Sequence, residues 1–345
     1  MAVHCVWSSK PRGRLRAGGR SEWCTAAKTG HTSVTESAPR LSVVLATDDF
    51  ATIRDLVDSL AAQTVASEIE IVVVCPSAAV LGAPDEPGPW DEFCVVEHAL
   101  LPLGEARASG IRAAGASVVV IAETHAIPAP DWAERLLRAH DANWVAVMPA
   151  VANANPASAL SWAAFLVDYG DWTLGRGPRE IDNPPSYHAS FKRDALLAFG
   201  PRLGQLLAPG STLADELRRQ GYRSWHEPAA RIDHLNVAEP KAWIHERFLG
   251  GRLLGAFRRA RWSRRRTLAY LLGSPLVPAI RLRRSLPALV SSSRAGLLPR
   301  ATRSATIAGC IAWGVGEAVG YAFGAGRTSA ARMLEYELHK VCYLH

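Results

Sequence analysis

Apolar positions between residues 41 and 240 follow two rhythms. Short β-branched runs at 41–47, 68–75, 93–96, 117–122 and 144–148 have almost no polar interruptions, the pattern of strands covered on both faces. Between them the apolar positions take a helical spacing. Ile53, Leu56, Val57 and Leu60 lie on one face of a helix that Asp48-Asp49 opens and that runs to about Gln63. A small-residue helix over 104–115 stops at Gly115, and another over 131–140 opens at Asp131. Strand, helix and strand within 35 residues (41–75) form a βαβ unit, so the predicted sheet is mostly parallel.

The rhythm loosens further on. An amphipathic segment at 156–176 carries Trp162, Phe165, Tyr169 and Trp172, and a polar loop with two prolines occupies 182–188. Helices are predicted near 194–199 and over 211–220, the second closed by Gly221. A strand over 222–236 ends in His234-Leu235-Asn236.

From 240 the composition shifts to Arg, Leu, Trp, Gly and Ala. Residues 243–266 alternate aromatic or aliphatic side chains with Arg, as in a helix lying at a lipid interface. Residues 304–326 hold no Lys or Arg and a single acid, Glu317. That length allows a membrane span, a re-entrant or surface-lying helix, or a soluble helix; the Gly, the Ala and the central Glu favour the re-entrant or surface-lying form.

Charge divides the chain in the same places. Net charge is +5 over 1–40, −12 over 41–240 and +14 over 241–345, for +7 in all. Three regions follow: a disordered extension (1–40), an acidic α/β domain (41–239) and a basic, apolar helical region associated with membrane (240–345). The Arg runs flank apolar helices and no nucleic-acid motif accompanies them, so an anionic membrane surface is the expected partner and nucleic acid is not. The six cysteines form no CxxC pair or metal-finger spacing, which argues against a disulfide framework and for a reducing compartment.

The chemistry gathers where the run 118–121 ends in Glu123-Thr124-His125. Two side chains able to bind metal then sit at the carboxyl edge of a strand, where open α/β sheets bind ligands. Glu123 is read as a metal or ribose contact and His125 as a metal or diphosphate contact; otherwise they close a strand end and a turn. Asp48 is a base or ribose contact or a helix cap. Arg107 reaches a phosphate or makes a surface ion pair. His234 closes over metal or phosphate or is structural. Trp162, Tyr169 and Trp172 suit the apolar face of a sugar ring, but their helical spacing suits core packing as well.

The order of these pieces resembles the family 2 inverting glycosyltransferases of GT-A fold. Its carriers are Ser42-Val43-Val44-Leu45, Gln63-Thr64, Glu70-Ile71-Val72-Val73-Val74, Ala106-Arg107-Ala108-Ser109-Gly110-Ile111, Glu123-Thr124-His125 and Pro130-Asp131-Trp132. Ser190-Phe191-Lys192-Arg193-Asp194, Leu217-Arg218-Arg219-Gln220-Gly221-Tyr222 and Pro228-Ala229-Ala230 before His234 follow, so that the resemblance covers about 41–237. It implies a GT-A-type nucleotide-binding α/β sandwich, a nucleotide-diphosphate sugar as donor, and a divalent cation, Mn2+ or Mg2+, between protein acids and diphosphate. Glu123 takes the place of the first acid of the family's acid-x-acid element. His125 replaces the second and disfavours Mg2+.

Cys75-Pro76-Ser77 stands where the family has an Asp that reads the base. Counting eleven residues back from Gly221 for the catalytic carboxylate gives Gly210, which leaves Asp215 and Glu216 in the same helix as candidates. The resemblance implies transfer with inversion; together with the basic, apolar region after 240 it sets the expectation of a lipid-linked or polysaccharide acceptor at the cytoplasmic membrane face. The two missing acids keep a second reading open, a catalytically degenerate transferase that binds nucleotide-sugar or acts as a scaffold.

Overall fold

The computed structural model describes residues 38–83, 88–208 and 213–345. The extension expected over 1–40 lies almost wholly outside the described residues.

In chain order the elements are β1 (Leu41–Ala46), α1 (Arg54–Ala61), β2 (Ile69–Cys75), α2 (Ala78–Leu81), β3 (Glu92–Glu97), α3 (Leu103–Ala113), β4 (Val118–Ile121), β5 (Ala126–Pro128) and α4 (Trp132–His140). Then come β6 (Ala146–Asn153), α5 (Ala159–Tyr169), β7 (Arg179–Ile181), β8 (Ser190–Lys192), α6 (Arg193–Leu197), α7 (Leu203–Leu206), α8 (Leu213–Arg219) and β9 (Ser224–His234). The C-terminal helices are α9 (Pro240–Arg261), α10 (Arg264–Gly273), α11 (Val277–Arg294), α12 (Thr302–Phe323) and α13 (Ser329–Leu338).

The strands form one nine-stranded sheet in the order β3-β2-β1-β4-β8-β6-β9-β5, with β7 also on β9. The first four are parallel neighbours, as the βαβ pattern requires. The expectation of a mostly parallel sheet fails beyond them. β8 enters antiparallel between β4 and β6, and β9 pairs antiparallel with β5 and β7 but parallel with β6. The sheet is therefore mixed. A three-residue strand such as β8 carries too little side-chain pattern to reveal its direction.

Both faces of the parallel half are covered. Val44, Val72, Val74, Val119 and Ile121 pack on one side with Ile111 of α3 and Phe165 of α5. Val43, Ile71, Val73, Val118 and Val120 pack on the other with Leu56 of α1 and Leu136 of α4. That alternation is the period-two pleat read directly from the sequence.

The C-terminal helices pack onto this body through α5. α9 and α12 run backbone against backbone: a Cβ on Gly251 would lie 2.1 Å from the Trp313 carbonyl oxygen, on Gly255 2.3 Å from that of Glu317, on Gly316 2.0 Å from that of Phe248, and on Gly320 2.2 Å from that of Arg252. Two small-xxx-small steps, Gly251/Gly255 and Gly316/Gly320, thus make the contact possible. α12 is the one helix among the described residues long and apolar enough to cross a membrane, and half of its apolar window is buried inside the protein. Cys75 and Cys310 are free and buried. Cys94 and Cys342 are disulfide-bonded, which corrects the expectation against disulfides drawn from the cysteine spacing.

Candidate metal centre and donor site

β4 delivers Glu123, Thr124 and His125 to the carboxyl edge of the parallel strands, and the end of β9 brings His234 beside them. The loop before β8 adds His188, tied to β4 by its backbone N–H on the Ile121 carbonyl at 2.9 Å. His188 holds a φ of 64°, a left-handed conformation uncommon without glycine and concentrated at functional sites. The end of α5 supplies Tyr169.

These side chains meet at one atom. Glu123 Oε2 lies 2.8 Å from His188 Nε2, 3.3 Å from His234 Nε2, 3.4 Å from His125 Nε2 and 3.3 Å from the Tyr169 hydroxyl. The His125 and His234 Nε2 atoms are 3.1 Å apart. Glu123, His125, His188, His234 and Tyr169 are all buried, none more than 6% exposed.

Burial by itself would raise the Glu123 carboxyl. The neighbouring His188, with hydrogen bonds from His188 and His125, outweighs it and holds the group well below the usual carboxylate range. Burial, reinforced by the Lys340 charge, pushes His125 down to about 4 against the pull of Glu123. His234 is pushed well below its ordinary value, again chiefly by burial. Both rings are therefore neutral near pH 7, the form that binds metal.

The hydrogen-bond network also orients His234. Asn236 Nδ2 donates to Asn153 Oδ1 at 3.1 Å and to the His234 carbonyl at 3.2 Å, which turns Asn236 Oδ1 toward His234 Nδ1, 3.1 Å away. Assigned from that network, the proton sits on Nδ1, and the bare Nε2 faces Glu123. Two acceptors then confront each other with the Tyr169 hydroxyl, 3.1 Å from Nε2, as the shared donor. A cation fits this arrangement. Ligand atoms about 2.1 Å from one ion stand roughly 3.0–3.4 Å apart, close to the 2.8–3.4 Å separations seen here. Glu123, His188 and His234 form one set able to hold an ion, and Glu123, His125 and Glu337 a second that shares its carboxylate. One carboxylate among imidazoles suits Mn2+ or another transition ion better than Mg2+.

The cluster opens on a cavity of about 1040 Å3 between the sheet edge, α9 and α13. Arg107, Glu123, Tyr169 and His234 line it together with Leu253, Leu254 and Phe257 of α9 and Met333 and Leu334 of α13. Arg107 pairs with Glu337 at 3.0 Å. Burial and the charge of Glu123 raise the Glu337 carboxyl to about 7 against Lys340 and Arg107. Asp48 pairs with His339 at 3.2 Å. Asp215 lines the cavity and pairs with Arg218 at 2.7 Å. Glu216 instead binds Arg219 at 2.6 Å and Arg202 at 3.6 Å.

The structure thus brings together Glu123, His125 and His234 and sets Arg107 and Asp215 on the walls of one cavity. Of the aromatic candidates, Tyr169 joins the cluster. Trp162 is buried with its N–H on the Pro156 carbonyl at 2.9 Å, and Trp172 packs on His226. Sequence reasoning missed His188, Glu337 and Lys340. A lone His after two prolines and a Glu in a distant helix carry no spacing signal toward Glu123.

No family model matches the chain, and no curated protein matches it by sequence. Solved structures do. The mannosyltransferase PcManGT from Pyrobaculum calidifontis, in complex with GDP-Man and Mn2+, is 21% identical over 84% of this chain and 89% of its own, with a TM-score of 0.52. S. aureus TarS 1–349 in complex with UDP is 16% identical over 81% of this chain and 90% of its own, with a TM-score of 0.39. The fold is that of solved glycosyltransferase structures, a mixed α/β architecture around one large sheet.

Proposed function

We propose that this chain is a cation-dependent inverting glycosyltransferase. It takes a sugar from a nucleotide-diphosphate donor and places it on a lipid-linked acceptor at the cytoplasmic face of a membrane. The carrying observation is the convergence of three imidazoles and a phenol on Glu123 at the carboxyl edge of parallel strands. The bound GDP-Man and Mn2+ named for PcManGT support a donor and an ion of the same kind.

Glu123, His188 and His234 would hold the ion, with His125 against them, and Asn236 fixes the ring of His234. A cation held there would supply charge neutralisation for the diphosphate. Asp48 and Arg107 flank the edge on the donor side. On the acceptor side Asp215 faces the cavity, so it rather than Glu216 is assigned as the group that takes the acceptor proton.

The cavity walls support a lipid-linked acceptor over a polysaccharide. Leu253, Leu254 and Phe257 of α9 with Met333 and Leu334 of α13 offer apolar surface that would shelter a hydrocarbon chain. The surface nearby supports membrane contact. Leu268, Leu272, Leu276, Ile280 and Leu286 are exposed on and around α10 and α11, interspersed with the exposed Arg264, Arg265, Arg266, Arg283 and Arg284.

The test is calorimetric titration with UDP and GDP, with and without Mn2+. Mn2+-dependent binding to the full chain, lost in Glu123→Gln and in His188→Gln, is the expected result. Binding unchanged in both variants removes the site. Flotation with vesicles containing an anionic lipid checks the membrane assignment: Arg264→Glu/Arg265→Glu/Arg266→Glu should stay in the soluble fraction.

A further inference from the structure

Three consecutive residues, Glu337 to His339, engage the side chains that the front half of the molecule offers to a nucleotide, and Lys340 follows them into the cavity. Glu337 takes Arg107 at 3.0 Å. The Glu337 and Leu338 carbonyls accept the Thr124 hydroxyl at 3.1 and 3.2 Å. His339 takes Asp48 at 3.2 Å. Lys340 is 7% exposed and lines the cavity with Glu123 and His234. The far end of the strip is fastened as well: the Tyr343 carbonyl accepts the backbone N–H groups of Ala238 at 2.7 Å and Glu239 at 2.9 Å, just past His234.

These contacts are chemically matched to the site. An imidazole meets the acid after β1, a carboxylate meets the arginine of α3, and an ammonium lines the cavity onto which Glu123 opens. A donor at the same edge needs Asp48, Arg107 and the space beside Thr124. Strip and donor cannot hold them together, because each of these groups already has its partner.

We propose that residues 337–340 are a tethered occupant of the donor site, with Lys340 standing in for the cation, and that the donor binds only after this strip has swung out. The inference rests on the donor site proposed above and adds its regulation: the affinity of the open site is reduced by the fraction of molecules in which the strip is seated.

The experiment compares the full chain with a His339→Ala/Lys340→Ala variant by titration with UDP and GDP in the presence of Mn2+. Reductant is present throughout, because Cys342 beside the strip is disulfide-bonded. The variant is expected to bind the better nucleotide at least about tenfold tighter. Equal affinity overturns the proposal, and weaker binding does so too, since it makes the strip a part of the donor site. Hydrogen exchange on the unaltered chain gives a second reading that needs no variant. Adding nucleotide and Mn2+ should speed exchange of the amides of 337–343, and unchanged or slower exchange there overturns the strip. Equal binding by both proteins defeats the strip alone, whereas no nucleotide binding by either defeats the donor site and the strip with it.

Discussion

Two glutamates are buried to the same degree in this molecule and are compensated in opposite ways. Glu317, 4% exposed in the middle of α12, has a fixed cation: Arg258 Nη1 lies 2.6 Å away and the Tyr321 hydroxyl 2.8 Å away. Glu123, 6% exposed, faces three imidazoles and a phenol, and two of those imidazoles are held neutral. A buried carboxylate beside a guanidinium is a closed electrostatic unit. One beside two neutral imidazoles, with no guanidinium against it, still has room for positive charge, whether from a bound ion or from Lys340. The first holds two helices together; the second is suited to chemistry.

The sharpest tests of this contrast begin with the helix pair. Gly316→Val places a side chain where only 2.0 Å separates a Cβ from the Phe248 carbonyl oxygen, so α9 and α12 must part. The expected loss exceeds about 4 kcal/mol, seen as collapse of the thermal unfolding midpoint. Glu317→Ala leaves Arg258 without its partner and should cost about 3 kcal/mol in denaturant unfolding. If Glu123→Ala costs as much with no change in Mn2+ binding, the contrast fails.

Acid should act on the Glu123 side. His125 is held at about 4, chiefly by burial, against an ordinary value of 6.5. Between those values the unfolded chain binds a proton that the folded chain refuses. Stability therefore falls as pH drops from 6.5 toward 4, by up to about 3 kcal/mol from this residue. His125→Gln should flatten that slope in chemical denaturation at stepped pH, and an unchanged slope would assign the effect elsewhere. Mn2+ at a hundred times its dissociation constant should add about 2.7 kcal/mol to the stability of the full chain. EDTA should reverse that gain, and Glu123→Gln should lack it. The smallest effect is expected from Glu123→Gln on the metal-free fold, within about 1 kcal/mol in the same unfolding measurement.

Much of the front half could be read without the structure because its signals are local. The runs at 41–47 and 68–75 are β1 and β2 to within a residue or two, since every position in both is buried. Glu123 and His125 stand out because a strand stops beside them. The antiparallel entry of β8 was not legible. Neither was His188, whose role depends on a backbone bond to Ile121 across 67 residues. In the C-terminal region the glycines of α12 read as weak insertion signals, whereas in the fold they let its backbone touch that of α9. Glu317 likewise reads as a charge that weakens a membrane span; Arg258, 59 residues away, makes it the centre of a packed pair.

By itself the sequence determined the parallel half of the sheet, the edge at which Glu123 lies, and the basic, apolar character of the chain after residue 240. Strand pattern, helix caps and charge are properties of neighbouring residues, so one-dimensional information suffices for them. Only the tertiary structure decided that His188, His234 and Tyr169 meet on Glu123, and that the C-terminal strip lies across Asp48, Arg107 and Thr124. Those contacts join residues up to 291 positions apart, from Asp48 to His339. Their energies come from burial and from charges brought together by folding, which no local pattern records.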